Sequence, residues 1–103
     1  MIADLEAALA ETGLKFAHFG WSKAPSSEYG VYAEDSAHIL RSNDRSGEKV
    51  VEVTVDWYTR NPSTTAIDTI EDAFDSIPCA WSVNSIQFES DTGLIHYEWL
   101  VEV

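Results

Sequence analysis

The clearest signal along the chain is alternation. In EKVVEVTVDWYTR, Val51, Val53, Val55 and Trp57 take every second place, with Glu52, Thr54, Asp56 and Tyr58 between them. Period two over so long a run describes a strand with one buried and one wet face. The run is longer than a small domain can cover, so one end is expected to project in a hairpin with the preceding strand. LIHYEWLVEV repeats the pattern: Ile95, Tyr97, Trp99, Val101 and Val103 alternate with His96, Glu98 and Glu102. AWSVNSIQFES reads as its partner strand, joined to it through Asp91-Thr92-Gly93, a short turn with glycine at positive φ.

Two stretches have helical spacing. Ile2, Leu5 and Leu9 recur at that spacing, alanines supply propensity, and Gly13 after Thr12 makes a C-cap, which predicts a helix over 2–12. A second helix begins near Thr64, with Asp68 placed for a capping box with Thr65. Ile67, Ile70, Phe74 and Ile77 form its apolar stripe, Asp68, Glu71, Asp72 and Asp75 its solvated side, and Pro78 its end. Between the helices, Leu14–Trp21 reads as a first strand and Ser22–Glu28 as a loop around Pro25. Tyr29–Leu40 reads as a second strand with a bulge or break at Glu34-Asp35-Ser36. Arg41–Gly47 reads as a flexible polar turn, and Asn61-Pro62-Ser63 stops the long strand. The order is α-β-β-β-α-β-β. It predicts one α+β domain over 1–103, an antiparallel sheet of about five strands with two helices packed on one face.

Charge narrows the partners. Among 103 residues, 6 Lys plus Arg face 18 Asp plus Glu, a net charge of −12. Such a surface repels nucleic acid and anionic membranes, since phosphate binding needs clustered basic groups. The acids are spread along the polar positions of amphipathic segments, which is how a solvated face looks. No apolar run approaches the ~20 residues of a membrane span, and the acidic N-terminus is unlike a secretory signal. Cys79 is the single cysteine. It reads as a small packed residue, and the lack of a cysteine pair suits a reducing cytoplasm.

Little in the chain suggests catalysis. His18, His38 and His96 are not at metal-ligand spacing to one another, and His96 reads as a half-exposed surface histidine. The helix acids are better explained as a wet face than as a cation site. There is no phosphate-binding glycine loop and no nucleophile elbow. The expectation is no enzyme, no cofactor and no metal. Aromatics are more telling. Trp57 and Trp99 fall on inward faces and read as core. Trp21, Tyr29 and Tyr32 lie beside a loop and are candidate interface anchors. Arg41, Arg45 and Lys49, half of all basic residues, are candidates for pairing with an acidic patch on a neighbouring subunit. A small fold with long hairpins is also open to assembly through its sheet edges.

The stretch from Val50 to Val103 resembles the tail terminator and tail-completion (head–tail joining) proteins of long-tailed bacteriophages. The resemblance is carried by VVEVTVDWYTR, the helix TTAIDTIEDAFDSI, the strand near IQFES and the terminal strand LIHYEWLVEV. The N-terminal helix MIADLEAALAETG, ahead of a polar loop and YGVYAED, fits the same layout. It is a pattern of elements rather than a sharp motif. It implies a structural subunit that forms a hexameric ring, caps the tail tube, ends its polymerisation and meets the head connector or head-completion protein. It also implies residence in the virion at the head–tail junction, after assembly in the host cytoplasm. DNA would pass the ring lumen without specific binding, which an acidic wall favours. The charge ratio carries an alternative, an acidic DNA mimic that inhibits a basic nucleic-acid-binding protein. A small enzyme or ligand-binding barrel is the third reading, and it requires an apolar pocket with convergent polar groups.

Overall fold

The computed structural model describes residues 2–42, 45–61 and 65–103, and of 36–49 the backbone alone. The elements are α1 (Ile2–Glu11), β1 (Phe16–His18), β2 (Tyr29–Ser42), β3 (Arg45–Thr59), α2 (Thr65–Asp75), β4 (Ala80–Glu89) and β5 (Leu94–Glu102). The five strands form one sheet in the order β1-β2-β3-β5-β4. This is the expected α+β fold, with both helices against one sheet face.

That face is built by the predicted alternation. Val53, Val55 and Trp57 of β3 are paired with Val101, Trp99 and Tyr97 of β5, so all six project to the same side. Leu5 and Leu9 of α1 and Ile70 and Phe74 of α2 close over them into one buried cluster. Each such side chain contributes about 1.5–3 kcal/mol through burial. Phe74 meets Trp99 edge-on, with ring centroids 5.7 Å apart. The indole N–H groups need acceptors, and α2 supplies two. Trp99 Nε1 donates to Glu71 Oε2 at 3.0 Å and Trp81 Nε1 to Asp75 Oδ1 at 2.8 Å. Glu71 is half-buried for this reason, while Asp68, Asp72 and Asp75 stay exposed as expected. Trp57 Nε1 is the buried side-chain donor without an acceptor among the described residues.

The predicted punctuation is present. Gly13 has φ 75° after α1, and Gly93 has φ 73° in the β4–β5 turn, where its N–H donates to Glu89 O at 2.8 Å. The β2–β3 register shifts between Glu34 and Ser36, where a bulge was expected. Cys79 is half-buried, and its thiol donates to Phe74 O. The proposed cap near Thr64 lies outside the described residues.

Three features depart from the reading by pattern. The sheet is mixed, because β1 pairs with β2 in parallel. The chain leaves β1 by a long loop rather than a hairpin, and a loop can return to either direction. Secondly, β1 is three residues long rather than eight, since Phe19 at φ 67° and Gly20 at φ 156° turn the chain out of the sheet. Finally, Arg41–Gly47 is strand on both sides of residues 43–44, with Ser42 paired to Arg45. Polar side chains mark exposure to water, and the backbone groups there still find partners across the ladder. Because β5 meets β3 only from Glu52 onward as a strand, the outer part of β2–β3 continues as a two-stranded ribbon. This is the projecting hairpin, and it makes the molecule 50 Å long against 24 and 23 Å across.

Candidate functional site

The ends of the sheet order are its two open edges. β4 is the longer, at ten residues. Trp81 and Val83 oppose Val101 and Trp99, and past a register shift Ile86 and Phe88 oppose Tyr97 and Ile95. All four therefore lie on the helix side of the sheet. The helices do not reach the far end: Val83 is 47% exposed, Ile86 58% and Phe88 68%. At the opposite edge, Phe19 follows β1 and is 67% exposed. A bulky residue at positive φ is a strained conformation, worth about 1–3 kcal/mol. Phe19 is fixed there by its N–H, which donates to Tyr32 O at 2.8 Å, and by stacking on His18 at 4.2 Å.

The predicted anchors Trp21, Tyr29 and Tyr32 are half-buried and engaged within the chain. Trp21 Nε1 donates to Gly30 O at 2.9 Å and its ring meets Tyr29 edge-on. Tyr32 OH donates to Glu6 Oε2 at 2.7 Å. Burial first, then this bond, pushes its phenol up to about 12. Arg41 lies in β2 and Arg45 and Lys49 in β3, all on the projecting ribbon; their side chains lie outside the described part. The ribbon places these three along its outer part, away from the β2 end that carries Tyr29 and Tyr32. Long hairpins point to edge assembly in general, without singling out Phe19, Val83, Ile86 or Phe88. Alternation marks Ile86 and Phe88 as inward, and only the helix positions reveal that no described element covers them.

The sheet face away from the helices carries a second constellation. Tyr29, Tyr58 and His96 occupy one register row across β2, β3 and β5. Tyr29 stacks on Tyr58 at 4.7 Å and Tyr58 on His96 at 4.3 Å. Burial and the nearby acids push the Tyr58 phenol up to about 12. In the next row Asp56 lies directly opposite Glu98. His96 Nε2 lies 2.6 Å from Asp56 Oδ1, and His96 Nδ1 lies 3.5 Å from Glu89 Oε2. The hydrogen bond to Asp56 raises the imidazole pKa, against the opposing effect of burial. Glu98 accepts from Asn84 Nδ2. One nitrogen and two carboxylate oxygens from Asp56, His96 and Glu98 lie within 4.8 Å of one another, a set able to hold a cation. His96 is thus less exposed and more engaged than a surface histidine. The usable signal was that Asp56, His96 and Glu98 all fall on the polar phase of paired strands.

His18 repeats the arrangement near the β1 edge. It stacks on Tyr32 at 4.7 Å, with Nε2 2.5 Å from Glu34 Oε1 and Nδ1 3.9 Å from Glu6 Oε2. In this acidic chain, each of these two imidazoles sits between two carboxylates and against a tyrosine ring. A shallow depression between the end of α1 and the start of α2 is lined by Thr12, Leu14, Glu28, Asn61, Ala66 and Thr69, among others.

No protein-family model matches the chain. No curated protein matches it either. The functional reading therefore rests on the residues themselves and on the pattern of elements.

Proposed function

We propose that the chain is a structural assembly subunit, a tail terminator or tail-completion protein of a long-tailed phage that works as a ring. The observation that carries the assembly part is the apolar exposure at both sheet edges. Phe19 stands at the β1 edge and Val83, Ile86 and Phe88 at the β4 edge. An open edge offers unpaired backbone groups, and apolar side chains beside it supply area to bury. Joining one copy's β1 edge to the next copy's β4 edge uses two different surfaces. Such a heterologous contact closes into a ring when the rotation per subunit divides a full turn. The element order, through its resemblance to the tail-terminator family, supplies the phage context and the expected number of six. The projecting β2–β3 ribbon is the part of the subunit best placed to reach a neighbouring ring or the tail tube. The acidic balance suits a lumen that DNA slides through.

The DNA-mimic reading is favoured by a different observation. Glu52 and Asp56 on β3 lie directly opposite Glu102 and Glu98 on β5. Two like-charged pairs on one face form an ordered array of carboxylates, which costs stability unless something offsets it.

The DNA flanking the gene separates the two. Head-connector genes on one side and a tail-tube gene on the other are the expected result, and the purified chain should then halt growth of that tube. Flanking genes of a host-defence inhibitor, with tube growth unaffected, would overturn the reading.

A further inference from the structure

We infer that Asp56, His96 and Glu98 form a binding site for one divalent transition-metal ion of the zinc type, on the sheet face away from the helices. Asp56 and Glu98 are a directly opposed pair across β3 and β5, and like charges in that position repel. Glu89, from β4, adds a third carboxylate within reach of the same imidazole. Among the described residues no Lys or Arg pairs with any of them; the partner at hand is the imidazole of His96. A divalent ion resolves this repulsion more completely than a single imidazolium.

The imidazole is also posed as a ligand. Its plane is set by the stack on Tyr58, with 19° between the rings. Glu89 Oε2 lies 3.5 Å from Nδ1, where it can hold the Nδ1 proton once a metal displaces the one between Nε2 and Asp56. Nε2 is then left toward Asp56 and Glu98. A carboxylate on the far ring nitrogen is the usual support of a metal-bound histidine, fixing the ring and raising its basicity. The ligand atoms lie within 4.8 Å of one another, so small side-chain rotations bring them to the ~2.0–2.2 Å expected for nitrogen and oxygen on zinc. One imidazole with two carboxylates suits zinc and its neighbours in the transition series better than magnesium or calcium, which prefer oxygen alone. The proton that Nε2 shares with Asp56 is displaced as the metal binds and leaves to solvent. Glu98 exchanges its contact with Asn84 for the metal. Asp56, His96 and Glu98 are the ligands, and Glu89 is a positioning residue.

The test is titration of the full chain, first stripped with a chelator, with zinc chloride by isothermal calorimetry and native mass spectrometry. One zinc per chain is expected, reversed by chelator, with proton release seen in buffers of different ionisation enthalpy. His96→Gln and Glu98→Gln should each lose the site, and Glu89→Gln should weaken it by about 10- to 100-fold. Circular dichroism checks the fold of each variant. If His96→Gln does not fold, Asp56→Asn carries the same expectation. Zinc binding unchanged in these folded variants, or magnesium bound as tightly as zinc, would overturn the assignment. So would a wild-type chain that holds no zinc at micromolar concentration.

Discussion

Gly30 lies directly across the β2–β3 ladder from Trp57, and the space left by its missing side chain is filled by the ring of Phe16. A Cβ on Gly30 would stand 2.2 Å from Phe16 Cε1. Phe16 in turn packs on Trp57 at 5.4 Å. The short parallel strand β1 is thus keyed to the sheet by a glycine that lets one aromatic ring reach another. Gly30→Ala is expected to displace Phe16 and to cost about 1–3 kcal/mol, as overpacking does. Chemical denaturation checks the magnitude. Trimming the obstruction in Phe16→Leu/Gly30→Ala should recover part of the loss relative to the sum of the single variants.

Trp99 joins the sheet to α2 twice, through its face against Phe74 and through its N–H on Glu71. Trp99→Ala should cost about 3–5 kcal/mol. Glu71→Leu leaves the indole N–H unpaired and should cost about 1–3 kcal/mol, whereas Glu71→Gln keeps an acceptor and should cost less. Urea unfolding of the three variants orders them.

The His18 bond holds the Glu34 carboxyl below its ordinary range. A lowered folded-state pKa means stability that is present in full above the unfolded carboxylate range. It is lost as pH falls through the folded value. Melting temperature should therefore drop between about pH 5 and pH 3. Glu34→Gln should flatten part of that drop while leaving the melt at pH 7 lower than wild type. Both are read by thermal melts across pH.

Phe19 is strained and exposed together, and its removal should separate assembly from folding. Phe19→Asn places a residue that tolerates positive φ at this position. Relief of strain offsets the lost stack on His18, so monomer stability should stay within about 1 kcal/mol. Self-association, measured by analytical ultracentrifugation, should weaken.

The alternation in β3 and β5 made the core face readable, down to Trp57 and Trp99. Period two in a long run has one physical cause, a sheet wet on one side. Gly13 and Gly93 were readable for a similar reason, since each position demands positive φ. The parallel β1 was not legible, because three residues and a loop carry no directional signal. The strands flanking residues 43–44 were not legible either, because RSNDRSG has turn composition while its backbone pairs as a ladder. Val83, Ile86 and Phe88 show the wider limit. Alternation reports which residues share a face but not whether a helix extends far enough to cover it. The His96 cluster failed as a motif because its members come from different strands, Asp56 and His96 being forty positions apart. Strand register, not spacing along the chain, brings them together.

In the proposed ring the two sheet edges join copies of this chain. Native mass spectrometry of the wild-type chain, beside Ile86→Lys/Phe88→Lys, reads this joining. The wild-type chain is expected at six times 11.5 kDa, and the folded variant at the single-chain mass. A wild-type chain found only at the single-chain mass, or a variant that assembles as well as wild type, would contradict it.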